Sequence, residues 1–267
     1  MSLPDALRAY EETSFTHDGK TRTVFRRGSG PAVIVIAEIP GITPNVVAFA
    51  DRVVEVGCTA VLPHLFGTPG KAVSPLYAIQ TIGPLCVSKE FSAWATGKTS
   101  PVISWLRALG AAEHERCGGP GIGAVGMCFT GGFALAMATD DRLLAPVLSQ
   151  PSLPFPVGKK RASDLHLSPD DLSRVKQRCA DDGLEVLGLR FTNDRAVPPA
   201  RFERLRRELG DAFVAVEIDS SPGNPHGLPK TAHSVLTEHF VDEPGHPTRD
   251  AMEKVLSLFR TRLVATG

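Results

Sequence analysis

The run Gly126-Met127-Cys128-Phe129-Thr130-Gly131-Gly132 follows directly on the apolar stretch Ile122 to Val125 and leads into an Ala-rich helical segment. A strand that passes through a tight turn into a helix needs small neighbours there, because the turn is strained and adjacent chain approaches closely. A cysteine held in such a turn has the form of a nucleophile elbow. The turn lifts the sulfur clear of the sheet, and the N-terminus of the following helix directs partial positive charge at it. That field favours thiolate over thiol. Cys128 is the candidate for covalent chemistry.

The rest of the chain alternates in the same way. Ser14 to Arg27 reads as a short hairpin with Asp18-Gly19 as its turn. Ala32 to Ala37 is a largely β-branched run, the mark of a strand buried on both faces. Pro44 to Val56 has helical spacing through Val47, Ala50, Val53 and Val54, and Gly57 ends it. Cys58 to Leu62 is a second buried strand; Pro63 to Gly83 reads as irregular, and Val87 to Gly110 as broadly helical with a break near Gly97. Beyond the elbow strand, Phe129 to Thr139 is expected to be a helix, and Leu143 to Leu148, Glu185 to Phe191 and Phe213 to Ile218 strands. Further helices are expected over Ser168 to Cys179, with Ser168 as N-cap and Pro169 at the first helical position, over Pro199 to Leu209, and from about Pro247 to Leu263.

Strands alternating with helices imply an α/β fold, a mostly parallel sheet flanked by helices on both faces. No internal repeat and no long linker divides the chain, so residues 1–267 read as one domain, opening with a hairpin region at 1–30.

Composition removes several classes of function. Acidic and basic residues cancel, with 29 of each, and no basic footprint for nucleic acid is visible. No apolar run approaches the roughly 18–20 residues that span a bilayer. Met1 to Glu12 carries acids and lacks the apolar core of a signal peptide. Cys58, Cys86, Cys117, Cys128 and Cys179 are widely spaced with no CxxC pair, which points to a reduced, cytoplasmic protein. Asp140-Asp141, Asp170-Asp171 and Asp181-Asp182 read as turn or helix-end residues, and no histidine cluster has zinc spacing, so no metal is expected. Gly121 to Gly126 fits GxGxxG, but these glycines precede and occupy a strand instead of opening a helix, so no dinucleotide cofactor is expected either.

A nucleophile elbow in an α/β sheet calls for an acid and then a histidine at later strand ends. Asp194 follows the Glu185 to Phe191 strand, and His233 lies in the loop after the Phe213 to Ile218 strand. His226, His239 and His246 compete for the second role. A free cysteine is only a few per cent thiolate near neutrality, so a base must take its proton, and the acid would fix that base's tautomer. Two backbone N–H groups would hold the oxyanion, one of them on Phe129 just after the nucleophile. Trp94, Trp105, Phe66, Tyr77 and Phe91 either line a pocket or pack the core.

Four motifs together resemble the dienelactone hydrolases: Val33 to Gly41, the Gly-Met-Cys-Phe-Thr-Gly elbow, Asn193-Asp194 to Val197-Pro198, and Ala232-His233-Ser234. They occur in that family's order, and the resemblance covers roughly Ser14 to Leu263. It implies an α/β-hydrolase fold with a Cys128, Asp194, His233 triad and no cofactor. It also implies that Glu38 sits beside the nucleophile and accepts the thiol proton when substrate binds, and that Ile39 gives the second oxyanion N–H. A carboxylate near a thiol disfavours free thiolate until something displaces it. Two positions depart from the family. Thr130 stands where the elbow has glycine, and Thr237 stands four residues after the histidine, where the archetype has a carboxylate-binding arginine; Pro69 to Thr99 has no arginine either.

The expectation is therefore a hydrolase cleaving a small ester or lactone through a thioester on Cys128, active as a monomer or a homodimer. Segments 151–182 and 63–83 would form the pocket walls. One rival is a glutamine amidotransferase of the Cys-His-Glu type, suggested by Gly-Met-Cys-Phe and Gly245-His246-Pro247, although Thr248 replaces the needed glutamate. The other is a non-catalytic member that binds a ligand in the same pocket.

Overall fold

The computed structural model describes residues 4–87, 90–91, 96–153 and 158–265. Lys89, Trp94 and residues 154–157 of the expected pocket wall lie outside the described residues. Eight strands form one sheet in the order β1-β2-β4-β3-β5-β6-β7-β8. They are β1 (Glu11–His17), β2 (Lys20–Arg27), β3 (Ala32–Ile36), β4 (Thr59–Pro63), β5 (Ile122–Met127), β6 (Leu143–Ser149), β7 (Val186–Phe191) and β8 (Phe213–Ile218). β1, β2 and β4 pair antiparallel, and every pairing from β4 through β8 is parallel.

The N-terminal hairpin turns where the sequence places it. His17 pairs with Lys20, leaving Asp18 and Gly19 as a two-residue turn with φ of 48° and 70°. Two successive left-handed residues match the twist of a hairpin, and Gly and Asp carry that geometry at least cost. β2 continues onto β4 and joins the hairpin to the main sheet.

The helices are α1 (Pro44–Glu55), α2 (Pro75–Val87), α3 (Val102–Cys117), α4 (Gly131–Met137), α5 (Lys159–Ala162), α6 (Pro169–Asp181), α7 (Pro199–Leu209) and α8 (Pro247–Phe259). Along β3, Ile34 and Ile36 pack toward α3 and α4, while Val33 and Val35 pack toward α1 and α8. This alternation covers both sheet faces and explains why β3 reads as an unbroken apolar run.

Two helical boundaries differ from the sequence reading. α2 occupies part of the segment expected to be irregular, with the Ser74 hydroxyl accepting the Tyr77 N–H at 3.3 Å and Pro75 opening the helix. Ser168-Pro169 begins α6 in the same way, its hydroxyl accepting the Asp171 N–H at 3.1 Å. Gly83 and Pro84, ordinarily helix breakers, lie inside α2. The helix expected over Val87 to Gly110 instead runs from Val102, just after Pro101, to Cys117. Gly110 does not end it: a β-carbon there would come within 2.7 Å of Ile122, so glycine lets α3 lie close against the sheet.

Candidate active site

Every residue of the site sits at the C-terminal edge of the sheet, where α/β folds gather their ligands. Cys128 follows β5, Glu38 follows β3, Gln150 and Ser152 follow β6, Asp194 follows β7, and His233 lies in the loop after β8.

Cys128 adopts φ of 55°, the left-handed conformation that side chains rarely take, and opens a single 3₁₀ turn before α4. The turn needs its glycines for space. A β-carbon on Gly126 would lie 2.1 Å from the Thr130 carbonyl oxygen, and one on Gly131 would lie 2.5 Å from the Pro151 Cα. Thr130 needs no such space, because its backbone has ordinary helical angles. Its buried hydroxyl accepts the Met127 N–H at 2.9 Å and donates to the Ile36 carbonyl at 2.8 Å. The residue that departs from the family pattern therefore ties the elbow to the end of β3, just before Glu38 and Ile39.

His233 Nδ1 and Asp194 Oδ2 meet at 2.6 Å. The other Asp194 oxygen accepts the Ala196 N–H at 2.9 Å, which fixes the carboxylate in a turn that is almost fully buried. Burial opposes protonation of the His233 ring. The charge on the Cys128 sulfur and the hydrogen bonds with Asp194 and Cys128 outweigh it and hold the ring's pKa well above the usual 6.5. The structure thus brings Cys128, His233 and Asp194 together.

The loop carrying His233 is held from beneath by a buried polar cluster. The Glu38 carboxylate, 4% exposed, accepts the Ser234 hydroxyl at 2.6 Å, the Thr237 hydroxyl, and the Gln150 amide at 3.2 Å. Gln150 also accepts the Val235 N–H at 3.2 Å. His239 Nδ1 accepts the N–H groups of both His233 and Ser234, at 3.4 and 3.3 Å. Burial and the neighbouring His233 charge lower the His239 pKa, consistent with a ring whose Nδ1 is an acceptor. Among the described residues no hydrogen bond joins Glu38 to Cys128; the sulfur lies 3.1 Å from the Ser152 hydroxyl.

The remaining candidates have other settings. The His246 ring caps α8, with Nδ1 2.7 Å from the Thr248 hydroxyl and accepting the Thr248 N–H at 3.3 Å. Trp105 packs edge-on against Phe15 and donates its indole N–H to the Lys20 carbonyl, so it belongs to the core under the hairpin. Phe91 and Phe133 pack against Phe129 next to the elbow, and Phe66 packs edge-on against Phe91. The Tyr77 hydroxyl is bonded to the Thr68 backbone. A cleft of about 300 Å³ lined by Asn193, Asp194, Arg195, Ala196, Lys230 and Thr231 borders the acid.

Sequence reasoning did not find Gln150, Ser152 or Arg201, weighed His239 only as a rival to His233, and gave Ser234 and Thr237 no contact with Glu38. Gln150 and Ser152 could have been sought just past β6, where the edge rule that located Asp194 applies equally. Arg201 is buried in α7 and donates to the carbonyls of Pro151, Arg161 and Asp164, at 2.7, 3.0 and 2.8 Å. Burial lowers its pKa to about 10. No local pattern announces such a clamp.

Known proteins share this architecture. A relative from Methylorubrum extorquens that carries a carboxymethylenebutenolidase name is 24% identical over 239 residues, covering 89% of this chain and 74% of the relative. Dienelactone hydrolase from Anabaena variabilis superposes with a TM-score of 0.59 at 15% identity, over 96% of this chain and 99% of that one. A cold-adapted esterase from an Arctic intertidal metagenomic library superposes with a TM-score of 0.60 at 14% identity, over 95% and 94%. These superpositions establish the α/β-hydrolase fold. The sequence profile of the dienelactone hydrolase family matches residues 21–263. With a cysteine at the elbow of that fold and nearly its whole length matched, the chain belongs to the dienelactone hydrolase family, a class of ester and lactone hydrolases.

Proposed function

We propose that this protein hydrolyses a small, uncharged ester or lactone through a thioester on Cys128, with His233 as base and acid and Asp194 as its orienting partner. One relationship carries the function: His233 holds Asp194 at 2.6 Å through Nδ1 while its ring faces the Cys128 sulfur.

In this mechanism the thiol proton passes to His233 and the sulfur attacks the substrate's carbonyl carbon. A C–S bond forms, and the carbonyl oxygen takes the negative charge between the N–H groups of Ile39 and Phe129. The C–O bond to the leaving oxygen then breaks, and that oxygen takes the proton from His233. In a lactone the released hydroxyl stays on the acyl chain; in an ester it departs as an alcohol. Water, deprotonated by His233, attacks the thioester carbon. The C–S bond breaks, the sulfur recovers its proton or its pairing with His233, and the carboxylic acid leaves.

Glu38 is assigned the holding of the His233 loop through Ser234 and Thr237. To accept the thiol proton, as the resemblance implies, it would have to leave those partners when substrate binds. The uncharged substrate follows from Thr237. Where the family's archetype places an arginine for a carboxylate, this chain has a hydroxyl committed to Glu38. The Arg201 guanidinium is likewise committed to three backbone carbonyls.

The test is hydrolysis of p-nitrophenyl acetate, a small thioester and a dienelactone by the wild type and by Cys128→Ala. Turnover that disappears in a folded Cys128→Ala variant, and that favours neutral over carboxylate-bearing substrates, is the expected result. Equal activity in both proteins would overturn the mechanism.

A further inference from the structure

Ser152 grips the elbow cysteine at both ends. Its backbone N–H donates to the Cys128 carbonyl at 2.8 Å, and its hydroxyl oxygen lies 3.1 Å from the Cys128 sulfur. The side chain is buried, and among the described residues the sulfur is the only hydrogen-bond partner of that hydroxyl.

The segment that presents Ser152 is fixed on each side. Before it, Gln150 takes φ of 35°, donates its N–H to the Leu189 carbonyl at 2.7 Å, and is tied to Glu38 and Val235 through its side chain. Pro151 packs so closely on Gly131 that no β-carbon fits between them, and its carbonyl accepts the buried Arg201 guanidinium at 2.7 Å. A hydroxyl presented on so rigid a segment loses little freedom when it bonds a neighbour.

We propose that Ser152 donates a hydrogen bond to the Cys128 thiolate once the thiol proton has passed to His233, and thereby stabilises the charged nucleophile. This rests on the reading of Cys128 as the nucleophile. The hydroxyl has one proton to give. Facing a thiol it can act as acceptor and stabilise the neutral form; facing a thiolate, which has no proton, it can only donate. With the thiol proton on His233, the second arrangement applies, and a donor to a charged acceptor is the stronger of the two. The ion pair is thus braced from both sides, His233 by Asp194 and the sulfur by Ser152.

The experiment is the pH dependence of Cys128 alkylation by iodoacetamide in the wild type, Ser152→Ala and Ser152→Thr, alongside kcat and KM for p-nitrophenyl acetate. Ser152→Ala should move the alkylation midpoint upward by about one pH unit and lower kcat by about tenfold, with KM little changed. Ser152→Thr, which keeps the hydroxyl, should restore the midpoint. A midpoint that stays at the wild-type value in Ser152→Ala overturns the proposal, as does failure of Ser152→Thr to restore it in a protein of wild-type thermal stability. A purely structural serine would lower the melting temperature and leave the alkylation midpoint in place. If Ser152→Ala does not fold, the nearly isosteric pair Ser152→Thr and Ser152→Val, which differ in the hydroxyl, provides the same comparison. Cys128→Ala separates the two claims: wild-type turnover in that variant removes the nucleophile itself, whereas an unmoved Ser152→Ala midpoint with Cys128 essential removes only the role of Ser152.

Discussion

Asp194 and His233 meet at 2.6 Å across 39 residues of sequence, joining the end of β7 to the loop after β8. Because Asp194 Oδ1 is already committed to the Ala196 N–H, Oδ2 can only point one way, and the ring must present its remaining nitrogen toward the elbow. Asp194→Asn keeps the shape but removes the charge and favours the wrong tautomer. Its kcat/KM should fall by about 10³-fold or more with the fold intact, measured by steady-state hydrolysis. His246→Gln, at the cap of α8 and edge-on to His226, should leave kcat unchanged.

The raised pKa of His233 makes a signed statement about stability. A histidine whose folded pKa exceeds its unfolded value of about 6.5 favours the folded state fully below 6.5. That contribution fades as pH rises through the folded value. Urea unfolding of the wild type and His233→Gln should show the full stability gap below about pH 6.5 and a narrowing gap as pH rises above it. A gap that widens with pH would have the wrong sign.

Thr130 joins the elbow to the end of β3 through a hydroxyl with two buried partners. Thr130→Val removes that hydroxyl at nearly constant volume and leaves the Met127 N–H and the Ile36 carbonyl short of a partner. The expected cost is about 1–3 kcal/mol in urea unfolding, with reduced kcat because the two N–H groups proposed to hold the oxyanion lie on the two segments it ties. Thr130→Ser should recover most of both.

Glu38 is held by two hydroxyls from the loop that carries His233 and by the Gln150 amide at the end of β6. Glu38→Gln weakens bonds to a charged acceptor, each worth about 1.5–3 kcal/mol. Thermal denaturation should show clear destabilisation. Activity should fall in kcat more than in KM, since the variant loosens His233 without touching the substrate.

The placement of the candidate residues at the ends of single strands was legible in the sequence because it is locally encoded. A glycine-flanked cysteine between an apolar run and a helix admits few geometries, and Asp194 and His233 follow strands whose apolar content marks them. α6 was legible for the same reason, through Ser168-Pro169. The identical signal at Ser74-Pro75 lies in a stretch whose Gly and Pro content reads as irregular, and α2 runs on through Gly83 and Pro84, which ordinarily break helices. The supporting contacts carry no local signature. Glu38 meets Ser234 and Thr237 across 196 and 199 residues, and only the closed sheet brings them together. Arg201 reads as one arginine among several on an amphipathic helix until the loops it clamps are in place.

The most direct measurement is intact-protein mass spectrometry, with peptide mapping, of enzyme quenched during turnover of p-nitrophenyl acetate. A single acetyl group on the peptide containing Cys128, absent from Cys128→Ala and accumulating in His233→Gln, is the result this mechanism predicts. Turnover with an unmodified Cys128 under the same quench, or an acetyl group carried by another residue, would contradict it.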